Sequence, residues 1–269
     1  MKSYASKTAL VTGASTGIGK AIAVDLAQRG ARLVLVARSG DLLEALATEL
    51  RAAHGNDVTV IAMDLARPGA AAELYAAVTA RGLTVDLLVN NAGFGKWGHF
   101  GDVDAKTYAE MIDLNIQTLV ALCHAFLPEM TARGDCGILN IASVAAFIPI
   151  PWSTVYAATK AFVLSFSEAL YYEYRDKDVM ISALCPGATN SQFARVAHAA
   201  DGNRAPFGDS AESVAKVGLD ALLAGKASVI PGATNQFAAI LPRLLPRRLS
   251  LIVIARAWRQ ILKSRGIKL

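Results

Sequence analysis

Residues 8–19 read TALVTGASTGIG, a short apolar run that breaks at once into glycines spaced G-x-x-x-G-x-G. The stretch Ile18–Arg29 that follows has helical character, so the junction predicts a strand, a tight turn and a helix. At such a junction the backbone must turn sharply and approach a neighbour where a Cβ would intrude. The start of the helix also offers unpaired N–H groups, which stabilise an anion such as a pyrophosphate. A glycine cluster alone is often only a turn. Its place between strand and helix makes Thr12, Gly13, Gly17 and Gly19 read as a phosphate cradle.

The same alternation continues outward. Apolar β-rich runs occupy Thr8–Thr12, Arg32–Ala37, Val58–Met63, Asp86–Asn90, Gly137–Ala142, Val179–Leu184 and Ala227–Ile230. Helical stretches lie between them, at Ile18–Arg29, Asp41–Ala53, Gly69–Arg81, Ala105–Arg133, Thr154–Tyr174 and Ala211–Ala224. Strands that are apolar throughout, separated by helices, predict an α/β fold: a parallel sheet covered on both faces. No Gly/Ser/Pro tract divides the chain. It reads as one domain over residues 1–239 and a helical appendage over 240–269, with Pro242 and Pro246 near its start.

The chain has 269 residues, 54% hydrophobic and 18% charged, which predicts a large buried core and no extensive disorder. Its opening lacks the apolar stretch of a secretory signal, and no run of eighteen uninterrupted apolar residues predicts a membrane span. Cys123, Cys136 and Cys185 are too few and scattered for a disulfide framework, and neither they nor the four histidines show metal-ligand spacing. A cytoplasmic protein without a structural metal is the simplest expectation. The net charge is +5, yet residues 240–269 hold eight basic side chains and no acidic one, so the first 239 residues carry −3. Nucleic-acid binding by the main body gains no support from that balance.

Two further features carry chemistry. Tyr156 and Lys160 stand four apart in VYAATKAF, which on a helix places phenol and ammonium on one face. A free phenol titrates near ~10; a fixed cation beside it favours the phenolate and is expected to lower that value toward the working range. The pair alone recurs by chance on surface helices, so its meaning depends on the rest of the chain. The second strand ends Ala37-Arg38, where a carboxylate would hold a ribose 2′-hydroxyl. Arg38 instead offers a cation to a 2′-phosphate, which predicts NADP rather than NAD; the plainer reading is a surface arginine at a strand end.

With TGASTGIG, NNAG at 90–93, Asn115, Ser143 and YAATK at 156–160, the chain resembles the short-chain dehydrogenase/reductase family, from residue 8 to about 230. The resemblance implies a Rossmann-type doubly wound sheet of seven parallel strands and an oxidoreductase using NAD or NADP. It implies Tyr156 as acid/base, Lys160 as its partner and a ribose ligand, Ser143 as donor to the substrate carbonyl, and Asn115 as holder of a relay water. For the cofactor it implies Gly13, Ser15, Thr16, Gly17, Ile18 and Gly19 at the phosphates, with Arg38, and Asp64 and Leu65 near the adenine. Asn91, Ala92 and Gly93, then Pro186, Gly187, Thr189 and Ser191, complete the set together with Tyr156 and Lys160. Asn90 is implied to tie the central strands. The chain departs from the family where Thr189 and Ser191 replace an aliphatic residue and a threonine. It departs again at Thr16, where NADP-preferring members often carry a basic residue.

Phe94, Trp97, Phe147, Trp152 and Phe193 are expected to face an apolar ketone, aldehyde or secondary alcohol, with a lid over 194–209. Any of them could instead pack inward. A non-catalytic, dinucleotide-binding regulator on the same fold is the alternative function. The long apolar helices Ala105–Arg133 and Thr154–Tyr174 predict a homo-oligomer, a pairing the family also implies. In the tail, Leu251, Ile254, Ala255, Trp258, Ile261 and Leu262 share a helical face opposite Arg256, Arg259 and Lys263. Packing of that face on protein is the preferred reading, and peripheral membrane contact the alternative.

Overall fold

The strands order themselves β3-β2-β1-β4-β5-β6-β7 in a single parallel sheet. The strands are β1 (Thr8–Thr12), β2 (Arg32–Ala37), β3 (Val58–Ala62), β4 (Leu87–Asn90), β5 (Cys136–Ile141), β6 (Val179–Leu184) and the two-residue β7 (Ser228–Val229). The structure is a computed structural model, and it describes residues 1–189, 208–244 and 246–264. All seven expected strands are present, their ends within two residues of the sequence reading.

Period-two alternation decides which side chain faces which layer. Val11, Leu33 and Leu35 lie on one face with Ile22 and Leu26 of α1 (Gly17–Gln28), Leu43 and Leu50 of α2 (Gly40–His54) and Leu219 of a later helix. Leu10, Val34, Val36 and Leu88 lie on the other, against Leu74 of α3 (Ala70–Thr79) and residues of two long helices. Each of these fully buried aliphatic side chains contributes roughly 1.5–3 kcal/mol relative to exposure.

The first long helix departs from expectation. Residues 105–133 form α4 (Ala105–Ile112), a π-helical segment Asp113–Thr118, and α5 (Leu119–Arg133). By length and composition this run could cross a membrane, but Leu122, Phe126 and Met130 are buried in the core beneath the sheet. The second long helix is α6 (Thr154–Tyr174). A buried chain of polar groups joins it to the central strands: Asn90 Nδ2 donates to Asn140 Oδ1 at 2.9 Å, and Asn140 Nδ2 to Ser167 Oγ at 2.9 Å. Cys123 joins this group, and Cys123, Cys136 and Cys185 are all buried and unpaired.

Helix α7 (Ala211–Leu223) closes the first layer, capped by Ser210, whose hydroxyl accepts from Ser213 N at 3.1 Å. Two helices follow, α8 (Ala233–Leu244) and α9 (Arg247–Ser264). Helix α8 runs through residues 239–240, across the boundary drawn from sequence, and packs on the turn after β5.

Candidate active site

The strand order reverses between β1 and β4, and the flanking helices diverge there to opposite faces. In an open parallel sheet such a switch point leaves a crevice at the carboxyl ends of the strands. Six groups of sequence-predicted residues follow the ends of strands: Gly13 after β1, Arg38 after β2, Asp64 after β3, Asn91–Gly93 after β4, Ser143 after β5 and Pro186 after β6, while Asn115, Tyr156 and Lys160 stand on helices.

The turn after β1 has no space for a side chain at Gly13 or Gly19. Gly13 adopts φ +64°, and a Cβ at Gly19 would stand 2.3 Å from Gly13 O. Asn91 holds this turn, donating from Nδ2 to Thr12 O at 2.9 Å and Gly13 O at 3.1 Å. Ser15, Thr16, Gly17 and Ile18 are partly exposed at the mouth of α1, and its N-cap Thr16 makes no side-chain cap bond. The first turn of α1 contains no acid. These residues fit a dinucleotide: glycines where a Cβ would collide, and uncapped N–H groups for a pyrophosphate. Arg38 is exposed and has no ion-pair partner among the described residues. Asp64 is half-buried and accepts from Ala66 N at 3.1 Å, while Leu65 is buried with its carbonyl bonded to Thr118 Oγ1.

Asn115 sits in the π-helical segment and is buried. Its Oδ1 accepts from Phe94 N at 3.1 Å, and its Nδ2 donates to Phe94 O and to Thr159 Oγ1, each at 3.0 Å. Both amide hydrogens are therefore occupied. Any water contact at Asn115 falls to its main-chain carbonyl or the remaining lone pair of Oδ1. Single-turn π segments are frequent at functional sites, and this one brings the Asn115 amide against the loop after β4. Thr159, the other partner, was not picked out from sequence; its only signal is its place inside YAATK.

Ser143 caps the 3₁₀ turn Val144–Phe147 by accepting from Ala145 N at 3.1 Å, and its Oγ lies 3.4 Å from Pro186 O. Ser143 also hydrogen-bonds the Tyr156 phenol. Lys160 is buried and donates from Nζ to Ile141 O at 2.7 Å, with Nζ 5.9 Å from the centre of the Tyr156 ring. The electrostatics correct one expectation. Burial pushes the Tyr156 phenol up to about 12, opposed by the Ser143 hydrogen bond. Burial likewise pulls the Lys160 ammonium down to about 8, with the Cys185 thiol acting the other way. Desolvation outweighs the attraction expected between them, because neither charge is well solvated and the ammonium spends a hydrogen bond on the Ile141 carbonyl.

The apolar side brings together some predicted residues and an unpredicted one. Trp97 meets Trp258 of α9 edge to face, with ring centres 5.9 Å apart. Trp258 and Tyr156 pack on the same small cluster of Ala145, Ile150 and Ala157. Trp152 adopts φ +61°, an uncommon conformation for a bulky residue; its carbonyl accepts from Gly98 N at 2.9 Å and its ring meets His99. Phe94 is half-buried. Phe147 packs instead on the core cluster beneath α5 and α6, the inward alternative raised from sequence. Sequence reasoning placed Trp258 on the tail's apolar face, where it lies, but had no signal for the destination of that face.

The segment after β6 is fixed from the tail. Asn235 of α8 donates to Asp209 Oδ2 and Pro231 O, each at 2.8 Å. A Cβ at Gly187 would stand 2.1 Å from Asn235 Oδ1, so only glycine fits there. Thr189 donates from Oγ1 to Gly187 O at 3.2 Å and bridges to Asp209. Ser191 and Phe193 lie outside the described residues, as does nearly all of the expected lid.

Comparison with known proteins follows the same lines. A family profile described as short chain dehydrogenase matches residues 7–201. The very-long-chain 3-oxoacyl-CoA reductase of Anas platyrhynchos is 36% identical over 194 residues, covering 70% of this chain and 61% of that protein. The chain thus spans less than two thirds of that relative's length. A short-chain dehydrogenase from Sphingobium yanoikuyae, solved in complex with NADPH, is similar with a TM-score of 0.80 and 33% identity, over 88% of this chain and 93% of that one. The bulky-bulky ketone specific alcohol dehydrogenase of Comamonas testosteroni gives a TM-score of 0.75 at 30% identity, over 90% of this chain and 95% of that one.

Lys160 yields a pH signature. In the folded, cofactor-free protein its ammonium titrates near 8, below the ordinary lysine value that the unfolded chain retains. At pH below the folded value, both states are charged and the folded state bears the full desolvation penalty. As pH rises from there toward the ordinary value, the folded state loses its proton first and the penalty fades, so stability gains with pH. Lys160→Met removes the charge and keeps the length. From about pH 7.5 to about pH 9.5, wild type should gain on the order of 1–2 kcal/mol relative to the variant in urea unfolding. Parallel curves for the two proteins would show that Lys160 is not desolvated.

Proposed function

The chain belongs to the short-chain dehydrogenase/reductase family, and from that premise we propose that it is an NADP-dependent oxidoreductase of apolar carbonyl compounds and their alcohols. The observation that carries this reading is the placement of Ser143, Tyr156 and Lys160 together by the loop after β4, Ser143 and Lys160 buried and Tyr156 partly buried.

Bound NADPH would supply a hydride to the carbonyl carbon. The residues of this chain would manage the oxygen. Tyr156 holds its proton throughout the neutral range because burial disfavours the phenolate. A substrate oxygen gaining alkoxide character outcompetes a phenolate for that proton, so Tyr156 donates in the reductive direction. Ser143, anchored by Ala145 N and the Tyr156 phenol, directs a second donor at the same oxygen and stabilises the developing charge. Lys160 closes the floor of the site against Ile141 O, and it would hold the ribose of a bound cofactor. Asn115 acts as a positioning residue, holding the Phe94 backbone and Thr159 of the catalytic helix.

Preference for NADP rests on Arg38, an exposed guanidinium at the β2 end, with Ser39 next to it in the chain and the hydroxyls of Ser15 and Thr16 in the glycine turn. The NADPH complex of the Sphingobium relative agrees with it. For the substrate, Trp97, Trp258, Ile150 and the Trp152 loop form an apolar rim next to the phenol. That rim favours a carbonyl flanked by bulky or long hydrocarbon. The relatives named for a very-long-chain 3-oxoacyl group and for bulky ketones point the same way. Self-association is also proposed: Ile112, Phe162 and Tyr172 expose large apolar surface on α4 and α6, and subunit pairing would cover it.

Tyr156→Phe should keep the fold and NADPH binding while turnover of an apolar ketone falls by at least ~10²-fold. Near-wild-type turnover in the variant would remove Tyr156 from the chemistry. If wild type binds NADPH tightly but reduces no member of a broad ketone and aldehyde panel, the non-catalytic regulator is the better reading.

In a fluorescence titration, NADPH should bind more tightly than NADH. Arg38→Ala should weaken NADPH by roughly tenfold or more, the scale of a lost charge-assisted contact, and leave NADH little changed. Equal affinities in the wild type would overturn the cofactor preference.

Sedimentation velocity at micromolar protein should show a dimer or tetramer, and Phe162→Glu should shift it toward monomer. A wild type that is monomeric throughout would contradict self-association through α6.

A further inference from the structure

Helix α9 has two apolar sides, and the protein covers only one. Trp258 and Leu262 face inward, Leu262 with no exposed surface and Trp258 against the active-site cluster. The opposite side of α9 and its neighbour α8 expose Phe237, Ile240, Leu244, Leu249, Ile252 and Val253, with Leu244 at 76% and Phe237 at 65%. On α8 these residues recur at i, i+3 and i+7; on α9 at i, i+3 and i+4, which makes each set a single face. The same outward face of α9 continues into Arg256, Arg259 and Lys263, all exposed, and Arg247 and Arg248 stand exposed at its start. None of these five cations has an ion-pair partner among the described residues. The last acidic residue in the sequence is Asp220, so no acidic side chain follows in the remaining 49 residues.

We propose that the outer face of α8 and α9 docks the protein on the surface of an anionic lipid bilayer. The apolar side chains would enter the interfacial zone while the arginines and lysine meet headgroup phosphates, the division of labour of an interfacial helix. Charge decides between this occupant and its rivals. A second copy meeting this face about a two-fold axis would set Arg256, Arg259 and Lys263 against their own kind, with no acid on either helix to relieve them. Nucleic acid would satisfy the cations but gain nothing from six bare apolar side chains. This docking is independent of the proposed catalysis, because it is measured without substrate or cofactor.

The test is co-sedimentation of the full chain with vesicles of phosphatidylcholine alone or mixed with phosphatidylglycerol, at low and high salt. Binding should require the anionic lipid and be released by salt, as screening predicts. Two double variants separate the contributions. Arg256→Gln with Arg259→Gln should weaken partitioning roughly tenfold or more, since each cation near an anionic surface contributes on the scale of a severalfold change. Ile252→Asn with Val253→Ser should weaken it by a similar factor. All four positions are exposed, and an unchanged circular dichroism spectrum with an unchanged thermal midpoint checks that each variant folds. Failure of wild type to sediment with anionic vesicles at low salt overturns the proposal. So does binding that is equal on neutral vesicles, or that both variants retain. Tight binding to duplex DNA that ignores Ile252→Asn with Val253→Ser would likewise overturn it in favour of a nucleic-acid surface.

Discussion

The hydroxyl of Thr12 joins two strands whose helices leave in opposite directions. It donates to Val89 O at 3.1 Å and accepts from Asn91 N at 2.9 Å and Ala92 N at 3.0 Å. The sheet order reverses at this seam, so the ends of β1 and β4 border the crevice and side chains support them across it. The Thr12 hydroxyl and the Asn91 amide supply that support, and the glycine turn rests on both. Valine has the shape of threonine but would leave the Ala92 N–H unpaired, at about 1–3 kcal/mol, and Asn91 N with only its 3.1 Å bond to Val89 O. The cradle, the loop carrying Gly93 and Phe94, and through Phe94 the position of Asn115 all depend on this join.

Around that crevice, burial sets the chemistry more than proximity of charge does. Tyr156 and Lys160 are shifted in opposite directions on the pH scale, yet for one reason: burial disfavours the charged form of each. A neutral phenol next to a weakly held ammonium forms a site that gives up a proton rather than one that takes it. The Ser143 hydrogen bond is what draws the phenol back toward neutrality. Within the chain alone, proton-transfer tuning falls to a serine on a 3₁₀ turn, a more local device than the helical Tyr/Lys spacing suggested.

Much of this was legible in the sequence, and the divide between what was and was not is physical. Strand runs such as LVLVA at 33–37 and the glycine turn are local patterns, because period and φ constraint are written into neighbouring residues. The Ser143, Tyr156 and Lys160 set was readable through family spacing, and the fold brings the three together. The π segment was not readable, since one extra residue per turn leaves no mark on apolar periodicity; helix 105–133 looked continuous. Thr159 and Asn235 act through partners 44 and 26 residues away, and such pairings have no local signature. The tail was half legible. Its apolar face was found, but Trp258 finds Trp97 only through the packing of α9, and the second apolar face was hidden because alternating basic residues made the outer side look simply wet.

Desolvation also governs the three cysteines. Burial lifts the thiols of Cys123 and Cys185 to about 12, and that of Cys136 upward as well. The thiolate is the reactive form, and all three sulfurs are buried besides, so the native chain presents almost none of them to a maleimide or an oxidant. For labelling, the protein therefore behaves as if it lacked cysteine altogether. A single thiol engineered at an exposed position would carry a fluorophore without any need to delete the natural three. Conversely, alkylation of Cys123 or Cys185 would count opening events of the core, turning the natural cysteines into clocks for unfolding.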